Sequence, residues 1–128
     1  MTLYHFTGSD HAEKIKREGI TKGGVYIPPH SVKWGYIWLT DDPRFNAQHW
    51  ATNHSGACGD RTEVRFTIEL DGAFVMPWNI AARKIFGMCK RDLIEFNLAG
   101  GSDGAHWYLC PFAIPVAMIK AIDKRLVI

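Results

Sequence analysis

Between Glu63 and Leu70 apolar and polar residues alternate without a break, with Val64, Phe66, Ile68 and Leu70 on one parity and Glu63, Arg65, Thr67 and Glu69 on the other. Side chains of a strand point alternately to its two faces, so this segment predicts a half-buried strand. Leu3 to Phe6 predicts a short strand that ends in the polar break Thr7-Gly8-Ser9-Asp10. A helix follows: Asp10 is suited to its N-cap with Glu13 three residues on, Ala12, Ile15 and Ile20 fall near one face, and Gly19 suits a left-handed C-terminal position.

Thr21 to Trp34 contains Gly23-Gly24 and Pro28-Pro29 with little period, which predicts a loop holding one irregular strand around Val25 to Ile27. Gly35 to Thr40 reads as a strand that runs through Asp41-Asp42-Pro43 into a short helix from Phe45 to Trp50, and Asn53 to Arg61 reads as an exposed connection. Beyond the turn at Asp71-Gly72, a short strand is expected from Ala73 to Met76 and a helix from about Ile80 to Cys89. The period of Asp92 to Phe96 fits neither element clearly. Ala99 to Gly104 is a Gly-rich loop, His106 to Cys110 a strand interrupted by Ile114-Pro115, and Met118 to Asp123 a final strand before Leu126-Val127-Ile128.

A chain of 128 residues, 47% hydrophobic and 22% charged, is expected to be one domain over residues 1–128 with a core of its own. It has no apolar run of the roughly 18 to 20 residues that span a bilayer and no basic leader before an apolar stretch, so the expectation is a cytoplasmic protein with no membrane partner. Cys58, Cys89 and Cys110 are odd in number and widely separated, which fits a reducing compartment. A net charge of +2 permits a nucleic-acid partner without demanding one, and the oligomeric state is left open.

Three segments carry candidate chemistry. In Tyr4-His5-Phe6-Thr7 the strand period puts the His5 imidazole and the Thr7 hydroxyl on one face, able to hold a sugar hydroxyl or an amide; the alternative is a His satisfied by a backbone carbonyl. In Tyr36-Ile37-Trp38-Leu39-Thr40 the residues Tyr36, Trp38 and Thr40 share a face, which makes either a stacking platform for a planar ring or part of a core. His106 stands at a strand start beside the Gly-rich loop, as a polar site group or as a plain surface residue. His49, His54 and Cys58 are of zinc-ligand type, but no Cys-x-x-Cys pair accompanies them and no metal is expected. Phosphate-cradling glycine motifs and a nucleophile elbow are absent from the sequence.

Taken in order, Leu3-Tyr4-His5-Phe6-Thr7, a helix ending in Glu18-Gly19-Ile20, a loop, and Gly35-Tyr36-Ile37-Trp38-Leu39-Thr40 resemble the opening of the ADP-ribosyltransferase fold. That opening occurs in diphtheria-toxin-type and poly(ADP-ribose)-polymerase-type transferases, RNA 2'-phosphotransferases and DNA-modifying toxins, and the likeness covers roughly the first 45 residues. The resemblance implies an α+β fold with split, mixed β-sheets and short flanking helices around a cleft that holds NAD as substrate. His5, with Phe6 and Thr7 beside it, would contact the nicotinamide-side ribose or amide, and Trp38, or Tyr36, would stack on nicotinamide, with Thr40 on the same face. The loop from Gly23 to Trp34 would cover the ligand. Where many members carry a Glu on a later strand, His106-Trp107-Tyr108 offers His106, which would bind the ribose or orient the acceptor, a nucleic acid or a protein. A carboxylate would then have to come from elsewhere, such as Glu95 or Glu69, or the site would run other nucleotide chemistry, or bind without turnover.

Overall fold

A computed structural model describes residues 1–29, 31–48 and 62–125. Its strands are β1 (Thr2–Thr7), β2 (Gly24–Ile27), β3 (Ser31–Trp34), β4 (Ile37–Thr40), β5 (Val64–Glu69), β6 (Met76–Pro77), β7 (Trp107–Cys110) and β8 (Ile119–Lys124). The helices are α1 (Ser9–Glu18), α2 (Trp78–Lys84) and α3 (Lys90–Ala99). Six strands form one sheet in the order β6-β7-β4-β1-β5-β8, and β2 with β3 forms a separate hairpin. The fold is therefore α+β with two sheets and short helices. Every strand pair is antiparallel, so the mixed pairing expected from the resemblance gives way to antiparallel pairing among the described residues. No helix among the described residues is long and apolar enough to cross a membrane.

Register sorts the side chains into two cores, one on each face of the large sheet. Leu3, Ile37, Leu39, Phe66, Ile68 and Cys110 pack with Ala12 and Ile15 of α1. On the other face Leu109 packs with Trp78, Ala81 and Ala82 of α2 and Leu93 of α3, with Trp38, Phe96 and Trp107 against them. Fully burying side chains of this size contributes about 1.5–3 kcal/mol each, enough to fix which face every strand residue takes.

Several local details differ from the sequence expectation. Helix α1 starts at Ser9 with extended Gly8 as its N-cap, and Asp10 lies in the first turn, where its charge still favours the helix dipole. Gly19 does end the helix, at φ +79; a Cβ there would lie 2.2 Å from the Ile114 carbonyl oxygen, where Ile20 bridges to Ile114. The irregular segment around Val25 is half of a regular hairpin, Gly24↔Trp34 to Ile27↔Ser31. Gly72–Phe74 is a 3-10 turn, and the short strand follows it at Met76–Pro77. The helix expected to reach Cys89 stops at Lys84, and a new one starts at Lys90 and takes in the ambiguous Asp92 to Phe96. Phe45–Ala47 is a 3-10 turn. Trp50, the Asn53 to Arg61 connection, Leu126 to Ile128, and His49, His54 and Cys58 lie outside the described residues.

Candidate functional site

The sheet opens between β1 and β4. Strand β1 pairs with β5 over its whole length, Thr2↔Glu69 to Thr7↔Val64. Against β4, the described register is Tyr4↔Thr40. Continued antiparallel pairing would bring Phe6 opposite Trp38; instead the ladder stops, and the Trp38 carbonyl accepts from His5 Nδ1 at 2.9 Å. An imidazole thus satisfies a main-chain acceptor that a neighbouring strand would otherwise take. A carbonyl can only accept, so Nδ1 carries the proton and Nε2 is the acceptor of a neutral ring. Burial pushes the His5 pKa below its ordinary value of 6.5, with the bond to Trp38 opposing that shift, and so favours the neutral form.

Where the strands part lies a cleft of about 1080 Å³. His5 and Thr7 come to it from β1 on the α1 side of the sheet, and Trp38 and Thr40 from β4 on the opposite side. The cleft therefore passes through the plane of the sheet, and this passage is what lets residues of opposite parity meet. Phe6 also lines it, while its ring packs edge-on against Phe45 at 5.4 Å. Thr40 is buried and accepts from the Asp42 amide at 3.1 Å, which fixes its hydroxyl.

The Trp38 indole is held firmly. Its centroid is 4.7 Å from Trp78, 5.9 Å from Trp107 and 6.1 Å from the nearly parallel Phe96, and its Nε1 donates to the Gly24 carbonyl at 3.0 Å. A ring sandwiched between Trp38 and Phe96 needs about 7 Å between their planes, twice the usual contact distance, so the pair admits no third ring. Trp38 is a rigid wall whose remaining surface faces the cleft, and Phe96 and Trp107 extend that wall. Tyr36 packs edge-on against Phe86 at 5.1 Å and is not among the cleft walls.

His106 is also away from the walls: Trp107 takes the cleft position, while His106 Nδ1 lies 2.6 Å from Asp41 Oδ1 with its side chain 60% exposed. Of the two carboxylates considered from the sequence, Glu69 is bound to Thr2 at the far edge of β1 and β5, and the amino terminus lies 3.6 Å from it. Glu95 lines the cleft from α3, one turn after Asp92, which lines it too. Its only described partner is exposed Arg91 at 3.4 Å, a weak restraint at a surface.

Sequence reasoning missed Phe96 and Trp107 as wall residues and the network beneath them. Trp78 Nε1 donates to Asn97 Oδ1 at 2.9 Å, and Asn97 Nδ2 donates to Asn79 Oδ1 and to the Asp103 carbonyl at 2.9 and 3.0 Å. This ties the Gly-rich loop to α2 and α3 and so positions Gly100 and Trp107 at the cleft. An Asn at a core-facing helix position was the available signal, since a buried amide has to be satisfied. Comparison with protein-family models, curated proteins and solved structures finds no match to this chain.

Proposed function

We propose that the cleft binds NAD and that the protein is an ADP-ribosyltransferase-like enzyme acting in the cytoplasm on a nucleic-acid or protein acceptor. One observation carries the reading: the sheet parts at His5 and Trp38 to leave a space of about 1080 Å³, slightly above the roughly 300–1000 Å³ usual for ligand sites, lined by the His5 imidazole and by the carboxylates of Asp92 and Glu95. The residues present fit the substrate. Thr7 and His5 Nε2 supply a hydroxyl and an acceptor for ribose hydroxyls or the carboxamide, and the Trp38 and Trp107 surfaces suit the nicotinamide ring. Free Cys89 and Cys110 accord with a reducing compartment.

In the reaction, the bond between ribose C1' and nicotinamide N1 breaks, and its electron pair leaves with nicotinamide. Positive charge then spreads over C1' and the ring oxygen. Glu95 stabilises that charge in place of a strand carboxylate, with Asp92 adding to the negative potential. An acceptor lone pair closes on C1', and the acceptor's proton passes to the carboxylate or to water. The test is nicotinamide release from NAD with calorimetric titration alongside; no NAD binding, together with no nicotinamide release in the presence of DNA, RNA and protein acceptors, removes the reading.

A second reading, a nucleotide-binding module without turnover, draws on the exposed helical setting of Glu95 and its Arg91 partner. It calls for stabilisation by NAD, about 2.7 kcal/mol at 100 times the dissociation constant, with no nicotinamide released. RNA 2'-phosphotransferase chemistry is less well supported, because Lys14 and Lys22 are the only Lys or Arg residues on the described walls.

A further inference from the structure

The β2–β3 hairpin has two unlike faces. Val25 is fully buried and Ile27 packs with it against the Trp78 core, which anchors one face. Register assigns Gly24, Tyr26, Val32 and Trp34 to the other. There Trp34 is 76% exposed, Tyr26 47% and Val32 41%. Three large apolar side chains in solvent on one small face are a costly arrangement for a surface with no ligand.

These side chains are held in place. A Cβ on Gly24 would lie 2.8 Å from Trp34 Cε3 and 3.0 Å from both Trp34 Cζ3 and Val32 Cγ1, so the indole rests on the bare glycine backbone. The Tyr26 hydroxyl donates to the Pro29 carbonyl, which fixes that ring as well. Tyr26 is also a wall of the cleft, as are Gly24 and Pro28, so the aromatic face is continuous with the cleft mouth. The charge of this segment is of one sign: from Thr21 to Thr40 the chain has Lys22 and Lys33 and no Asp or Glu. Lys22 itself lines the cleft beside the hairpin.

We propose that this face is the docking platform for a single-stranded nucleic acid, whose bases stack on Trp34 and Tyr26 while Lys22 attracts the phosphates and exposed Lys33, paired with Val25 on the opposite face of the hairpin, adds to the positive potential. Aromatic rings accept any base by its flat face, and unpaired strands alone present such faces, so the platform takes single strands with little sequence preference. It delivers one nucleotide toward the cleft mouth as acceptor. The identification of that nucleotide as the acceptor rests on the NAD reading above; the binding itself does not.

The experiment measures anisotropy of labelled 12-nucleotide DNA and RNA single strands, and of a DNA duplex, against the whole chain and its Trp34→Ala and Trp34→Phe variants, with NAD affinity titrated separately. Trp34→Ala should weaken single-strand binding about 5- to 100-fold, Trp34→Phe should retain most of it, and NAD affinity should be unchanged. Lys22→Ala should lower the salt slope by about one. The relative affinities of the DNA and RNA arms identify the sugar preferred. Absence of single-strand binding, equal binding by Trp34→Ala, tighter binding of the duplex, or Trp34-dependent self-association in place of oligonucleotide binding each overturns the proposal. If NAD fails to bind while Trp34-dependent strand binding persists, the NAD reading falls and the platform stands.

Discussion

His5 Nδ1 donates to the Trp38 main-chain carbonyl at 2.9 Å, at the point where β1 and β4 stop pairing. One side chain thereby satisfies the open end of a ladder and becomes part of the cleft wall it helps to create. Removal of the imidazole leaves the carbonyl without that partner, so His5→Ala should cost about 1–3 kcal/mol in urea unfolding and should abolish calorimetric NAD binding. A loss of stability with NAD affinity intact would restrict His5 to a structural role.

The same ring sets a pH dependence. Because burial holds its folded-state pKa below the ordinary 6.5, the unfolded chain takes up the proton first as pH falls. The stabilising contribution is fully present above about pH 6.5 and is lost as pH drops through the folded-state value. Wild-type unfolding free energy should therefore decline from pH 7.5 to pH 5 more steeply than that of His5→Ala, and parallel slopes would contradict the assignment of a neutral, half-buried imidazole.

Glu95 and Glu69 give a paired comparison, since one lines the cleft and the other is tied to Thr2 at the strand edge. Glu95→Gln should reduce nicotinamide release about 100-fold or more while leaving NAD affinity within a few-fold, as expected for a charge that acts on the transition state. Glu69→Gln should leave release unchanged. Equal effects of the two variants would remove Glu95 from the chemistry.

Asn97 joins Trp78, Asn79 and the Asp103 carbonyl in a mostly buried network. Asn97→Leu strands the indole N–H and Asn79 Oδ1, while the Asp103 carbonyl keeps its bond from Asn79 Nδ2, and should destabilise the chain by about 2–4 kcal/mol in chemical unfolding. Gly104→Ala should act in the same direction, because Gly104 has φ +79 and its Cβ would lie 2.6 Å from Asn79 Oδ1. Hydrogen exchange that speeds up selectively from Gly100 to Trp107 in both variants would tie the network to the cleft wall; uniform protection would separate the two.

Legibility of these features in the sequence followed their burial pattern. Strand β5 was plain because Val64, Phe66 and Ile68 are fully buried and the residues between them face outward or sit at half-buried positions. Helix α3 was obscured because Asn97 points inward while Ile94 and Leu98 are 49% and 70% exposed, which inverts the usual contrast. The hairpin was obscured for a related reason: β2 is apolar on both faces at Val25, Tyr26 and Ile27, and β3 alternates with Val32 and Trp34 on the exposed face, which again inverts the usual contrast. His5, Thr7, Trp38 and Thr40 were identifiable from strand parity, and all line the cleft. Their meeting at one cleft was implied by the resemblance and not by strand parity, because it depends on a gap in the sheet that places the two parities in one space. For β7 the sequence pointed to His106, whereas strand register brings Trp107 opposite Thr40 and leaves His106 with Asp41.

The most direct measurement is the structure of the protein soaked with NAD. Density is expected for the nicotinamide ribose between β1 and β4, with a ribose or amide oxygen or nitrogen within 3.2 Å of His5 Nε2, the nicotinamide ring against Trp38 or Trp107, and Glu95 among the groups around the ribose. A closed β1–β4 seam, or NAD bound at any other surface, would contradict it.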